Sequence, residues 1–341
     1  MQGVESQGPL GRLGSKTYRR ILSIVGILIF LAILYYGGVD ALRQVARVNP
    51  LYLVCAFVTT GLAALVTSVR WGLIVDALEG RRAATPLHYF YYVMMGKISS
   101  TFVSQYVGDY GVRPLALKAS SNTSMGRALY SVLLDRFFDL ILSLLFLIPG
   151  LLYLGGFASP QMLALSIVLL VGGYWALIAR NHRAVSRLLG AAAAVANRVS
   201  SKTPVLKGAL GRVGPTLEGA RAGFEQVGQK CITVANVLTL CRYVMMALRA
   251  YFLALALGLS IPFGLVFVAV GLVRFTLLLA VAPGRLGVLE VGWYGILALG
   301  GVEGSAIIPL VIALRVYGLV FNAVLALATH LVVTLRPRQA V

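Results

Sequence analysis

A chain of 341 residues that is 59% hydrophobic and 12% charged, with a mean hydropathy of +0.87, has too little polar surface for a soluble globule. Several apolar runs exceed the length of about 18 residues that reads as a membrane-spanning helix, and no strand alternation supports a barrel. The 30 basic against 11 acidic residues, formally +19, would suggest nucleic acid in a soluble chain; beside membrane spans they set orientation and meet anionic headgroups, so no nucleic acid is expected.

The expected fold is an all-α polytopic membrane protein. The tail 1–20 carries Arg12, Lys16, Arg19 and Arg20 and is placed in the cytoplasm. The charge-free run 21–39 is too long for a cleavable signal and reads as a retained first helix. A short outer loop, 40–50, leads to a second helix from about 51 to 75, which returns to the basic "EGRR" (79–82). Segment 87–123 starts apolar and is then broken by Gly108, Asp109, Gly111, Arg113 and Pro114. It reads as a re-entrant hairpin from the cytoplasmic side, a shape tolerated only where protein or a cavity surrounds it. Its "HYFYYV" (88–93) reads as an interfacial aromatic belt rather than a ligand box.

A span near 127–150 runs outward, 151–160 is an outer link, and an extra helix, 161–179, runs back. The stretch 180–230 holds nine Lys or Arg against Glu218 and Glu225, so it is cytoplasmic, with an amphipathic helix at 183–199 on the inner leaflet. A span at 231–258 leads outward. Segment 262–303 is a second hairpin or a pair of full spans, and contains "VAPGRLGVLEVGW" (281–293). The last span, 306–334, ends at "RPRQAV" inside. The total is about six full transmembrane helices plus two broken re-entrant hairpins, one membrane domain over 21–335, in the cell membrane with both termini cytoplasmic.

Two parts of the chain share landmarks. Arg70 pairs with Arg249 at an offset of 179, and Thr60 and Thr239 each lie ten residues earlier. Lys97 pairs with Arg274 at 177, "GDYGVR" (108–113) with "GRLGVLE" (284–290) at 176, and Arg136 with Arg315 at 179. Constant order at nearly constant offset predicts an internal repeat, about 51–150 and about 231–335. The charge-based topology starts the first unit outside and the second inside, so the repeat is inverted. Inverted repeats bring two broken segments face to face at the bilayer midplane.

Nine basic residues fall at membrane depth: Arg70, Lys97, Arg113, Arg136, Arg242, Arg249, Arg274, Arg285 and Arg315. Four acidic ones oppose them: Asp109, Asp135, Asp139 and Glu290. A charge facing lipid near the centre costs at least roughly 2.5–3.5 kcal/mol, so most must face inward or pair. Arg70 and Arg242 are expected to snorkel to an interface. Asp135 and Asp139, four apart on one helix face, can lock to arginines of a neighbouring helix or serve coupling. Arg113, Arg285 and Glu290, at the hairpin breaks, are expected at the central site, with Asp109, Arg136, Arg315, Arg249, Arg274 and Lys97 as further substrate contacts. Gly108, Gly111, Gly284, Gly287 and Pro283 shape the breaks. More arginine than carboxylate suits an anionic headgroup, which a guanidinium grips bidentately. Asp109 or Glu290 could couple transport to protons. Cys55, Cys231 and Cys241 read as buried small apolar side chains, and His88, His182 and His330 lie far apart; neither a metal nor a cofactor is expected.

"LLDRFFDLIL" and "APGRLGVLE" resemble the two landmarks of the lysylphosphatidylglycerol synthase transmembrane-domain family, flippase-like membrane proteins. There the second landmark reads P-G-G-x-G-x-x-E, and the first, D-R-x-x-D, follows a broken P-G-x-x-G-E-x-x-R-like segment. Here Arg285 stands at the usual second glycine, and no proline precedes Gly108. The resemblance covers about 20–335. It implies movement of a polar lipid between leaflets, membrane lipids as partners and a separate lipid-modifying enzyme alongside. Members fused to an aminoacyl-transferase domain translocate the aminoacylated phosphatidylglycerol which that domain makes; others serve glycolipid or polyprenyl-phosphate-linked sugar pathways. The 180–230 stretch is too short for an enzyme fold. A flippase or scramblase for an anionic lipid or lipid-linked sugar is therefore expected. The alternatives are an integral-membrane transferase, with Asp109 or the Asp135/Asp139 pair as its carboxylates, and a small-solute or ion transporter.

Overall fold

Asn49 starts the first described long helix. Its side chain accepts a hydrogen bond from the Leu51 amide at 3.0 Å, and Pro50 presets the first turn. The helix, α1 (Pro50–Glu79), ends where Gly80 turns left-handed at φ 67°. The computed structural model describes Tyr35, 40–41, 43–102, 107–180, a few residues between 187 and 198, 226–278 and 287–335. The expected tail and first helix, most of the basic stretch 180–230 with its amphipathic helix, and the C-terminal "RPRQAV" lie outside the described residues.

The remaining elements are α2 (Pro86–Phe102), a π-type turn over Gly108–Val112 that runs into α3 (Arg113–Ser120), α4 (Met125–Leu154), α5 (Pro160–Arg180), α6 (Gln229–Ala256), α7 (Phe263–Leu278), α8 (Val288–Leu299) and α9 (Gly304–Leu335). The protein is an all-α polytopic membrane protein. Among the described residues, α1, α4, α6 and α9 are long and apolar enough to cross a bilayer. At 17, 16 and 12 residues, α2, α7 and α8 fall short of the roughly 20 that a straight span needs.

Charge inside and hydrocarbon outside reverse the soluble pattern. On α1, Val54, Val58, Leu62, Leu65, Val69 and Leu73 form an exposed apolar stripe, while Thr60, Thr67, Ser68 and Arg70 are buried on the other side. Cys241 is exposed on α6 rather than buried, and Cys55 and Cys231 are half-buried. The aromatic belt expected at 88–93 is also corrected in part. Tyr89 and Tyr92 are buried in a cluster with Trp71, and Tyr89 donates to Asp76 at 2.6 Å. Amphipathic rings serve a buried polar group as readily as a headgroup zone.

Helices α1 and α6 pack along one another and form the spine. Two further contacts are exchanged between the two parts of the chain. Helix α4 lies on α7, with the rings of Phe146 and Phe267 edge to face at 5.3 Å. Helix α9 lies on α2, where the Tyr91 hydroxyl is 3.1 Å from His330 Nδ1.

Candidate functional site

Four arginines and three aspartates meet between α1, α3, α4 and α6. Arg70 Nε donates to Asp135 Oδ1 at 2.8 Å, and its Nη1 donates to Asp139 Oδ1 at 2.9 Å and to Thr239 Oγ1 at 2.7 Å. Arg242 reaches both oxygens of Asp139 at 2.6 Å. Arg113 donates to Asp135 at 3.1 Å and lies 3.5 Å from Asp109. Arg136 holds Asp109 at 2.5 Å and Asp139 at 3.1 Å. The i, i+4 spacing of Asp135 and Asp139 makes this possible, because it puts both carboxylates on one face of α4.

Arg70 and Arg242 were expected to snorkel. They do not: Arg70 is fully buried and Arg242 nearly so. Arg70 sits nine residues before the end of α1, about 13 Å of helix rise, and Arg242 lies mid-way along α6. Packed helices enclose both side chains, and each meets a carboxylate instead of solvent. Arg113 has a further neighbour, the face of the Trp71 indole, 4.3 Å from its guanidinium carbon. Trp71 is itself fixed by donating to Ser131 at 3.0 Å.

In front of this cluster opens a cavity of about 230 Å³. Among the described residues seven cationic side chains line it: Lys97, Arg113, Arg136, Arg242, Arg249, Arg274 and Arg315. The single carboxylate in that lining is Asp109. Arg70, Asp135 and Asp139 form a buried layer behind. The walls alternate polar and apolar, with Thr60, Thr67 and Asn322 beside Val270, Leu314 and Trp293. The structure thus brings Asp109, Arg113, Arg136, Arg249, Arg274, Arg315 and Lys97 to one place, and Arg242 joins them. Thr60 was visible only as a repeat landmark, and Asn322 carried no sequence signal.

Glu290 is fully buried and is not part of the cavity lining. Its Oε2 accepts the Gly287 amide at 2.8 Å, closing the first turn of α8, and its Oε1 lies 3.2 Å from Arg315 Nη1. It thus touches the cavity-lining Arg315 and not the cavity itself, where it was expected as a substrate contact. Arg285, Pro283 and Gly284 lie outside the described residues.

The two G-x-x-G landmarks work differently. A Cβ on Gly108 would run into the Gly96 carbonyl oxygen and approach the Ser100 backbone nitrogen to 2.9 Å, so the π-type turn can lie against α2 only without a side chain. Gly111 would meet nothing closer than 3.9 Å. In the second landmark it is Gly287 that adopts a positive φ, 80°, at the start of α8.

The family model for the lysylphosphatidylglycerol synthase transmembrane region matches residues 21–326. The chain is also similar to the UPF0104 membrane protein MJ1595 of Methanocaldococcus jannaschii, 30% identical over 158 residues. That alignment covers 45% of this chain and 46% of the relative, so it spans about half the length of each. No solved structure matches the chain.

Proposed function

The chain belongs to the family of the lysylphosphatidylglycerol synthase transmembrane region, and from that premise we propose that it moves a polar lipid with an anionic headgroup, or a lipid-linked sugar phosphate, between membrane leaflets through the cation-lined cavity. One observation carries this reading: seven cationic side chains and one carboxylate line the cavity among the described residues. Arg113, Arg136 and Arg242 are neutralised from behind by the aspartates, whereas Lys97 and Arg249 form no ion pair among the described residues. An uncompensated cation in a low-dielectric site favours an anion strongly. The lipid-facing stripe on α1 leaves acyl chains a hydrocarbon environment beside the site.

The exchanged packing of α4 on α7 and α9 on α2 fits two inverted repeats with broken segments facing each other. The charge bias puts both termini in the cytoplasm. Each of the three aspartates is gripped by at least two guanidinium groups. That engagement supports transport over a transferase, whose carboxylate has to reach a substrate proton or a metal.

The test is translocation of headgroup-labelled lipid in proteoliposomes of the purified protein. Phosphatidylglycerol, phosphatidylcholine and a polyprenyl-phosphate sugar are compared, with and without a proton gradient. Selective movement of the anionic lipids is expected. Gradient dependence would implicate Asp109 or the Glu290–Arg315 pair. No movement of any lipid by well-folded protein would sink the proposal and return weight to the transferase.

A further inference from the structure

The chain places two equivalent arginines in unequal surroundings. Arg70 and Arg249 are 179 residues apart, as are Thr60 and Thr239, and Arg136 and Arg315. The same step carries Asp135 onto Leu314 and Asp139 onto Gly318. Arg70 therefore meets two carboxylates from α4, at 2.8 and 2.9 Å. Arg249 meets, at the corresponding places on α9, an isobutyl group and no side chain at all.

The geometry agrees with this correspondence. Arg249 Nη1 lies 3.8 Å from the point a Cβ on Gly318 would occupy. Arg249, Leu314 and Gly318 line the cavity together, and Lys97 lines it too. Arg249 Nε is buried without a hydrogen-bond partner. On the turn after Gly318, Asn322 donates to the Gly318 carbonyl at 2.6 Å, and its own side-chain oxygen is buried without a donor. The volume that Asp139 fills in the first part of the chain is open in the second, beside an arginine of the same kind.

Resting on the transport reading above, we propose that this gap is the subsite for the ligand's anionic group. Two oxygens of an oxyanion, a phosphodiester or a free phosphate, take the place beside Arg249 that the Asp139 carboxylate holds beside Arg70. Lys97, in the lining of the same cavity, offers a further hydrogen-bond donor. The guanidinium fork accepts carboxylate and phosphate oxygens in the same planar geometry, so one frame serves a built-in counterion on one side and a passing one on the other. Gly318 is then a residue of specificity: its missing side chain is the room the oxyanion uses.

The decisive variant is Gly318→Asp, which supplies the missing carboxylate from the chain itself. Gly318→Asn has the same size without the charge. Binding to the full-length protein in detergent is titrated calorimetrically with two probes, dihexanoyl-phosphatidylglycerol and inorganic phosphate. Gly318→Asp is expected to bind at least about tenfold more weakly than Gly318→Asn, because the new carboxylate occupies and neutralises Arg249. Arg249→Gln is expected to lose a similar factor against wild type, and it carries the test if Gly318→Asp does not fold. Loss for the lipid probe with no phosphate binding at any stage identifies a headgroup site; loss for both identifies a site open to free oxyanions. Equal affinities of Gly318→Asp and Gly318→Asn, or no binding of either probe to wild type, would overturn the assignment. The two readings fail separately. If binding follows the pattern but labelled lipid does not cross, the subsite stands without transport. If lipid crosses at the same rate in Gly318→Asp, transport stands without the subsite.

Discussion

Arg242 donates to both carboxylate oxygens of Asp139 at 2.6 Å, across 103 positions of sequence, and so ties α6 to α4 inside the bilayer. Asp139 also receives Arg70 and Arg136. Three guanidinium groups from three helices share one carboxylate.

Neutralising that carboxylate should therefore harm the fold before it harms any ligand step. Removing one member of a buried ion pair costs about 3–5 kcal/mol; Arg70 and Arg136 would keep Asp135 and Asp109, but Arg242 would be left without a carboxylate among the described residues. Asp139→Asn is expected to lose most of its monodisperse yield in detergent and to unfold at clearly lower temperature. A wild-type melting profile for Asp139→Asn would show that the cluster is not what holds α1, α4 and α6 together.

The glycine landmarks separate cleanly. Gly108→Ala has nowhere to put its methyl group without displacing the Gly96 carbonyl, whereas Gly111→Ala has open space. Gly108→Ala should fold poorly and Gly111→Ala normally, read from size-exclusion profiles. In the second landmark the sensitive position is Gly287, where an alanine would take on the strain of a positive-φ backbone, on the order of 1–3 kcal/mol.

Glu290 offers a division between cap and charge. Glu290→Gln keeps an acceptor for the Gly287 amide and loses the charge opposite Arg315. Lipid transport is expected to fall more than folded yield. Glu290→Ala also loses the helix cap, a further loss of about 1 kcal/mol. Parallel losses of transport and yield in Glu290→Gln would make the residue purely structural.

Arg285 stands where the related landmark carries a glycine, inside the broken segment. Arg285→Ala is expected to lower anionic-lipid transport by more than about tenfold while leaving most of the folded protein, the loss of a single charge-assisted contact of about 1.5–3 kcal/mol. Equal decline of transport and yield would assign it to folding.

Much of this arrangement was legible in the sequence, and the parts that were not share a cause. Long apolar runs fixed α1, α4, α6 and α9, since span length is set by the bilayer. The Asp135/Asp139 spacing announced a carboxylate face on one helix. The fate of Arg70 was misread because the groups that enclose it, Asp135, Asp139 and Thr239, come from α4 and α6, 65 to 169 residues away, and α1 alone carries no signal of them. Arg242 was misread because a charge was weighed by type rather than by its depth along α6. Which of two equivalent arginines keeps a counterion depended on α9, where a glycine and a leucine carry no charge signal until the offset is applied to the aspartates.

The exchange of α4 onto α7 and α9 onto α2 has a mechanical consequence. Each part of the chain lends its last long helix to the broken segment of the other, like two clasped hands. Neither can swing as a free lever, because any rocking of one drags a helix of its neighbour. The transport proposed above therefore assigns the opening motion to the backbone at Gly108 and Gly287, with the clasped helices as a fixed frame. A chain severed between α5 and α6 should accordingly still assemble when both fragments are made together, and neither fragment should hold its shape alone.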